Sequence, residues 1–168
     1  MKNSKISFVA RAALIASLYV VLTTAFAAFA SGVIQVRISE ALSFLPFFNA
    51  AAIPGLAIGC LISNTLAGGV PLDIIFGTVA TLIGAIGAWI IGRIAKSSKH
   101  QVLFAILATL PNVIANTLIV PQVLKIAYGA EESIPFMMMT VGIGEFIAST
   151  LLGTIVILAF KNNFKLLK

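Results

Sequence analysis

Seven side chains carry the chemistry available to this chain: Arg37, Glu40, Asn64, Asp73, Asn112, Asn116 and Glu145. Carboxylates accept hydrogen bonds, a guanidinium donates through a planar fork, and amides do both, so this set suits the capture of a polar, planar solute. When the apolar segments are laid out as membrane spans, all seven fall toward one side of the bilayer and the other half stays apolar. That sidedness is the layout of a one-sided solute pocket.

Catalysis is hard to build from these parts. The one histidine, His100, lies on the side away from the acids, so a Ser/His/Asp array would have to reach across much of the bilayer. No Gly-Lys dipeptide occurs, which excludes a Walker A loop and nucleotide hydrolysis in this chain. One histidine and one cysteine, Cys60, make neither a His-rich metal site nor an intrachain disulfide. A non-catalytic protein without a cofactor is expected.

Several of these polar residues also have a plainer explanation. Arg37 and Glu40 are three apart and would form an intrahelical salt bridge at the membrane surface, although the run Gln35-Val-Arg-Ile-Ser-Glu40 gathers enough polar groups for a pocket. Asp73 follows Pro71 and suits the positive end of a helix. Asn112 and Asn116 are four apart, hence on one face, just after Pro111 removes a helical hydrogen bond and leaves the Leu107 carbonyl in need of a partner. Glu145 resists such an account. It sits roughly 15 Å deep at the helical rise, where a charge costs at least about 2.5 kcal/mol, so it must face the interior and be protonated, paired with Arg37, or matched by a ligand donor. Trp89 and Phe76 could stack a planar ligand or simply pack, and His100 reads as a loop residue.

The elements that must position these groups follow from composition. With 60% hydrophobic and 10% charged residues over 168 positions, and a mean hydropathy of +1.12, the chain reads as one integral membrane domain, residues 1–168. Six apolar segments are expected: 8–30, a short one at 36–48, then 50–67, 72–95, 102–128 and 135–160, bounded by charge, glycine or proline. With both termini inside, Lys2, Lys5, Arg11, Arg93, Lys96, Lys99, Lys161, Lys165 and Lys168 are cytoplasmic, and only Arg37 and Lys125 are outside with Glu131 and Glu132. This positive-inside bias requires an even number of crossings, and it accounts for the net charge of +6 without nucleic acid. Ala28-Phe29-Ala30 before Ser31 imitates a signal-peptide cleavage site, but the apolar stretch is longer than a signal core and its removal would leave an odd number of spans.

Small residues recur at helical spacing. Ala80, Gly84, Ala88 and Gly92, and likewise Gly144 and Ala148, form stripes that let helix backbones approach within the bundle. Ala12 and Ala16 form a similar face near the cytoplasmic end of the first segment, where docking to another membrane subunit is an alternative to internal packing.

Four runs together resemble the QueT family: Val36-Arg-Ile-Ser-Glu-Ala-Leu-Ser-Phe-Leu-Pro-Phe, Ile53-Pro-Gly-Leu-Ala-Ile-Gly-Cys-Leu-Ile-Ser-Asn64, Leu72-Asp-Ile-Ile-Phe-Gly-Thr-Val-Ala-Thr-Leu and Val141-Gly-Ile-Gly-Glu145. Leu110-Pro-Asn-Val-Ile-Ala-Asn116 looks like the family's proline and asparagine element, and the resemblance covers about residues 8 to 160. It implies an all-α, six-helix membrane bundle of the energy-coupling factor (ECF) S-component type, in the bacterial plasma membrane with both termini cytoplasmic. It further implies capture of a queuosine precursor, a 7-deazaguanine base or related compound, at the outer face. Uptake would then depend on a transmembrane T component and two cytoplasmic ATPases, with Ala12 and Ala16 matching the small-residue motif that contacts the T component.

The residues themselves leave the substrate open. A deazaguanine edge suits a carboxylate from Glu145, Glu40 or Asp73 and donors from Asn112, Asn116, Asn64 or Arg37, but a riboflavin or folate S component would use the same groups. An ion-coupled transporter acting alone would use Glu145 as its protonation site. A structural subunit binding no solute would leave the buried amides and Glu145 without a purpose.

Overall fold

The computed structural model describes residues 2–30, 35–162 and 164; Ser31, Lys165 and Lys168 lie outside the described residues. Among those described, the chain is helical and has no strand: α1 Lys2–Ala25, α2 Ala52–Leu66, α3 Pro71–Ile94, α4 Gln101–Leu107, α5 Leu110–Ala127, α6 Ile134–Glu145 and α7 Gly153–Phe160. A π-helical stretch, Phe146–Leu152, joins α6 to α7 without a break. Helix with every backbone bond satisfied inside its own segment is what a hydrocarbon environment allows.

Among the described residues, four helical stretches are long and apolar enough to cross a membrane: Ser4–Ala25, Pro71–Ser97, Gln101–Ala127 and Ile134–Phe160. Their outward faces carry side chains such as Leu14, Ile94, Ile126 and Ile155, each at least 64% exposed, which lipid would cover. The other two apolar segments are shorter. Ala52–Leu66 has 15 residues, and the expected second helix is instead a pair of 3-10 turns, Ile38–Leu42 and Leu45–Phe47, lodged inside the bundle.

Packing runs α1 against α2, α2 against α3, α3 against α5 and α5 against α6, and the Ile38–Leu42 turn closes the ring between α1 and the π-helical stretch. Small residues make these contacts possible, as their spacing predicts. Gly84 faces the Asn112 backbone and Gly92 the Phe47 carbonyl, so closely that an added Cβ would lie 2.6 and 2.3 Å from the nearest atom. Gly144 is the tightest: a Cβ there would come within 2.1 Å of the Gln35 carbonyl oxygen. Gly144→Ala is therefore expected to push α6 away from the chain that leads into Arg37, destabilising the fold by about 1–3 kcal/mol through overpacking. A lower melting temperature in detergent would report it, and an unchanged one would contradict the close approach.

Prolines interrupt the fifth segment more than a simple kink would. α4 ends at Leu107 and α5 restarts at Leu110 with Pro111 in its first turn. At the break, Thr109 Oγ1 donates to the Ile106 carbonyl at 2.8 Å. The lower core is apolar, built from Phe44, Phe47, Ala88, Ala105, Ala108 and Ile157.

Candidate solute-binding site

A cavity of about 630 Å³ opens where α1, α2 and α5 end and α3 and α6 begin. Its wall includes Arg37, Ser63, Asn64, Asp73, Asn116 and Glu145. Helix order explains the gathering. Asn64 stands near the end of α2 and Asp73 near the start of α3, at the mouth, whereas Asn116 on α5 and Glu145 at the end of α6 lie deeper, near the middle of the Gln101–Ala127 and Ile134–Phe160 stretches. Five of the seven residues singled out by type and spacing thus share one wall.

Glu40 and Asn112 stand behind that wall rather than on it. Both are 1% exposed. Asn112 Nδ2 donates to Glu40 Oε2 at 2.9 Å and to Glu145 Oε2 at 3.2 Å, so one amide ties two carboxylates together. The Tyr19 hydroxyl donates to the other Glu40 oxygen, and Asn116 Nδ2 donates to the Asn112 carbonyl at 3.0 Å. A direct ligand role for Glu40 or Asn112 does not fit this arrangement, because their polar atoms are spent on protein partners beneath the cavity. Asn112 holds Glu145, and Glu40 in turn holds Asn112.

The surface ion pair expected between Arg37 and Glu40 is also replaced. The tight 3-10 turn at Ile38–Leu42 carries the Glu40 carboxylate inward to Tyr19 and Asn112. Arg37 lies on the cavity wall, with Nη1 3.9 Å from Cys60 Sγ, and within electrostatic reach of both Glu40 and Glu145. One guanidinium beside two carboxylates eases a repulsion that two buried acids sharing an amide would otherwise suffer.

At the rim, the Tyr128 hydroxyl donates to Asp73 Oδ2 at 2.8 Å and accepts from the Val70 amide at 3.3 Å. Partial burial, and then the hydrogen bond to Asp73, hold the Tyr128 phenol above its ordinary pKa, keeping it a donor. Both tyrosines of the chain therefore end on an acid of this region. Their pairing is what residue-type reasoning missed, and the available signal was that a phenol within or beside an apolar span needs a partner. Trp89 and Phe76 are absent from the cavity wall; the Arg93 guanidinium lies over the Trp89 ring, 5.5 Å from its centroid.

Ala12 and Ala16 do not form an open face. They are 8% and 6% exposed and pack on α2, where an added Cβ at Gly55 would lie 2.9 Å from the Ala12 carbonyl oxygen and one at Gly59 3.1 Å from that of Ala16. Internal close packing explains this face. Ala13 and Ser17, with Ala10 one turn before them, are among the small residues that α1 turns outward.

Because Asn112 holds Glu145 and Glu40 at once, Asn112→Ala is expected to leave two buried acids short of a donor. That should cost about 2 kcal/mol of stability, by the penalty for an unsatisfied buried polar group, together with part of the ligand affinity. Thermal unfolding in detergent beside a ligand titration checks both, and loss of neither would remove Asn112 from its bridging role.

A helical membrane bundle with a polar cavity confined to one end is a solute-handling membrane protein. The QueT transporter family model matches residues 9–162, and the chain belongs to that family. A queuosine precursor transporter QueT from Lactococcus lactis subsp. cremoris is 42% identical over 85 residues, an alignment that spans 49% of this chain and 50% of that protein. The match thus covers about half the length of the curated relative. No solved structure matches the chain.

Proposed function

We propose that this chain captures a queuosine precursor, a 7-deazaguanine base or a related compound, in the cavity walled by Arg37, Asn64, Asn116 and Glu145. The observation that carries the reading is a carboxylate and a guanidinium facing one cavity. A deazaguanine presents adjacent N–H donors that suit Glu145 and acceptors that suit Arg37 and the amides. Membership of the QueT transporter family and the name of the Lactococcus relative support the substrate class.

In this reading the chain is the substrate-binding S component of an ECF importer in the bacterial plasma membrane. It crosses six times with both termini cytoplasmic, the short segments 38–47 and 52–66 completing the crossings. The excess of basic residues on one side supports that orientation. Lacking a nucleotide loop, the chain relies on a T component and two ATPases for energy, and the outward small residues Ala13 and Ser17 of α1 are the place for T-component contact.

Mass spectrometry of small molecules that copurify with the detergent-solubilised protein, followed by calorimetric titration with 7-deazaguanine, tests the substrate. A bound deazapurine is expected; riboflavin or folate in its place would overturn the assignment. Uptake into liposomes by this chain alone, driven by an ion gradient, would overturn the S-component reading in favour of an ion-coupled transporter.

A further inference from the structure

Hydroxyls in helices commonly satisfy themselves on the carbonyl one turn back. Here Ser17 donates to the Ala13 carbonyl, Thr65 to Leu61, Thr78 to Ile74 and Thr81 to Gly77, at 2.7 to 3.1 Å. Ser63 breaks the pattern. It is 1% exposed, its Oγ has no hydrogen-bond partner within the protein, and it lies on the cavity wall. Among the described residues one other buried side-chain oxygen is likewise unpartnered, Thr117 Oγ1, which lies against Gly142 at the α5–α6 contact and away from the cavity wall.

Cys60, Ser63 and Asn64 occupy one face of α2, at the three- and four-residue spacing that brings helical side chains together. Asn64 Nδ2 and Arg37 Nη1 both converge on Cys60 Sγ, at 3.5 and 3.9 Å. The α2 side of the cavity therefore offers a guanidinium, an amide and a hydroxyl hydrogen, whereas the α6 side offers the Glu145 carboxylate. One wall donates and the other accepts.

We propose that Ser63 is a ligand-binding residue that donates its hydroxyl hydrogen to an acceptor atom of the substrate. The substrate lies across the cavity with its carbonyl edge toward α2 and its N–H edge toward Glu145. This deepens the deazaguanine reading and rests on it. For such a base the acceptor at α2 is the 6-oxo group, and a ring lacking that oxygen loses the contact.

Calorimetric titration of the intact protein and Ser63→Ala with 7-deazaguanine and with 2-amino-7-deazapurine, a weaker ligand that lacks the 6-oxo group and with it the N1 hydrogen, tests this. For 7-deazaguanine, Ser63→Ala is expected to weaken binding about tenfold, in the range for a hydrogen bond whose buried acceptor is left unpaired. For the 6-deoxo base the same substitution is expected to change affinity less than twofold, an outcome that a general disturbance of α2 would not produce. Equal affinity of both proteins for 7-deazaguanine, or equal losses for the two bases, overturns the Ser63 contact while leaving the substrate assignment in place. Absence of 7-deazaguanine binding to the unsubstituted protein overturns the substrate assignment and this contact with it.

Discussion

Glu145→Gln is expected to weaken binding of a 7-deazaguanine by 30-fold or more while leaving the protein as stable as before, or more so. The amide keeps the size of the carboxylate but exchanges an acceptor-only group for one that also donates, so it faces the ligand's N–H edge with a mismatched hydrogen. Disrupting a buried, charge-assisted hydrogen bond costs about 2 to 5 kcal/mol, and about 1.4 kcal/mol is tenfold in affinity. Stability moves the other way because Glu145 and Glu40 share the Asn112 amide, and neutralising one of two neighbouring acids relieves their repulsion. Asn116→Ala should lose less, since Asn116 Nδ2 is already engaged by Asn112. Calorimetry for affinity and thermal unfolding for stability separate the two effects. Unchanged affinity in Glu145→Gln would take Glu145 out of the site.

Legibility in the sequence differed between the cavity wall and what stands behind it, and the reason is physical. A buried acid such as Glu145 is visible from sequence because its cost in an apolar span demands an interior position. Asn64, Asp73 and Asn116 follow because the ends of apolar segments reveal which end of the bundle they share. Glu40 and Asn112 were legible as polar but not as hidden, since whether a side chain meets the cavity or a protein partner depends on a 3-10 turn that hydropathy does not encode. The π-helical stretch Phe146–Leu152 was equally silent. It places Ser149 against Ser43 and Thr150 against Thr109, pairing hydroxyls from distant segments. Periodicity of 3.6 residues predicts an unbroken helix there and misses the change in pitch.

Ala12 and Ala16 illustrate a different failure. Close spacing of small residues announces that backbones approach, but it does not say which helix approaches, and α1 carries small residues on more than one face. Those facing α2 are consumed by the bundle; Ala13 and Ser17 remain exposed on the outward face. This distinction yields the largest expected effect on transport. Under the S-component reading, Ala13→Trp should leave ligand binding by the isolated protein nearly intact while abolishing assembly with the T component and uptake in cells, because an indole holds two helices apart where they must touch. Ala12→Trp should instead fail earlier, forcing α1 from α2 and lowering the yield of folded, ligand-binding protein. Copurification with the T component, ligand titration and cellular uptake, measured for both variants, distinguish the two faces. If Ala13→Trp assembles and transports normally, the outward face of α1 is not the contact; if Ala12→Trp folds and binds as the unsubstituted protein does, the α1–α2 packing is not as close as its glycines require.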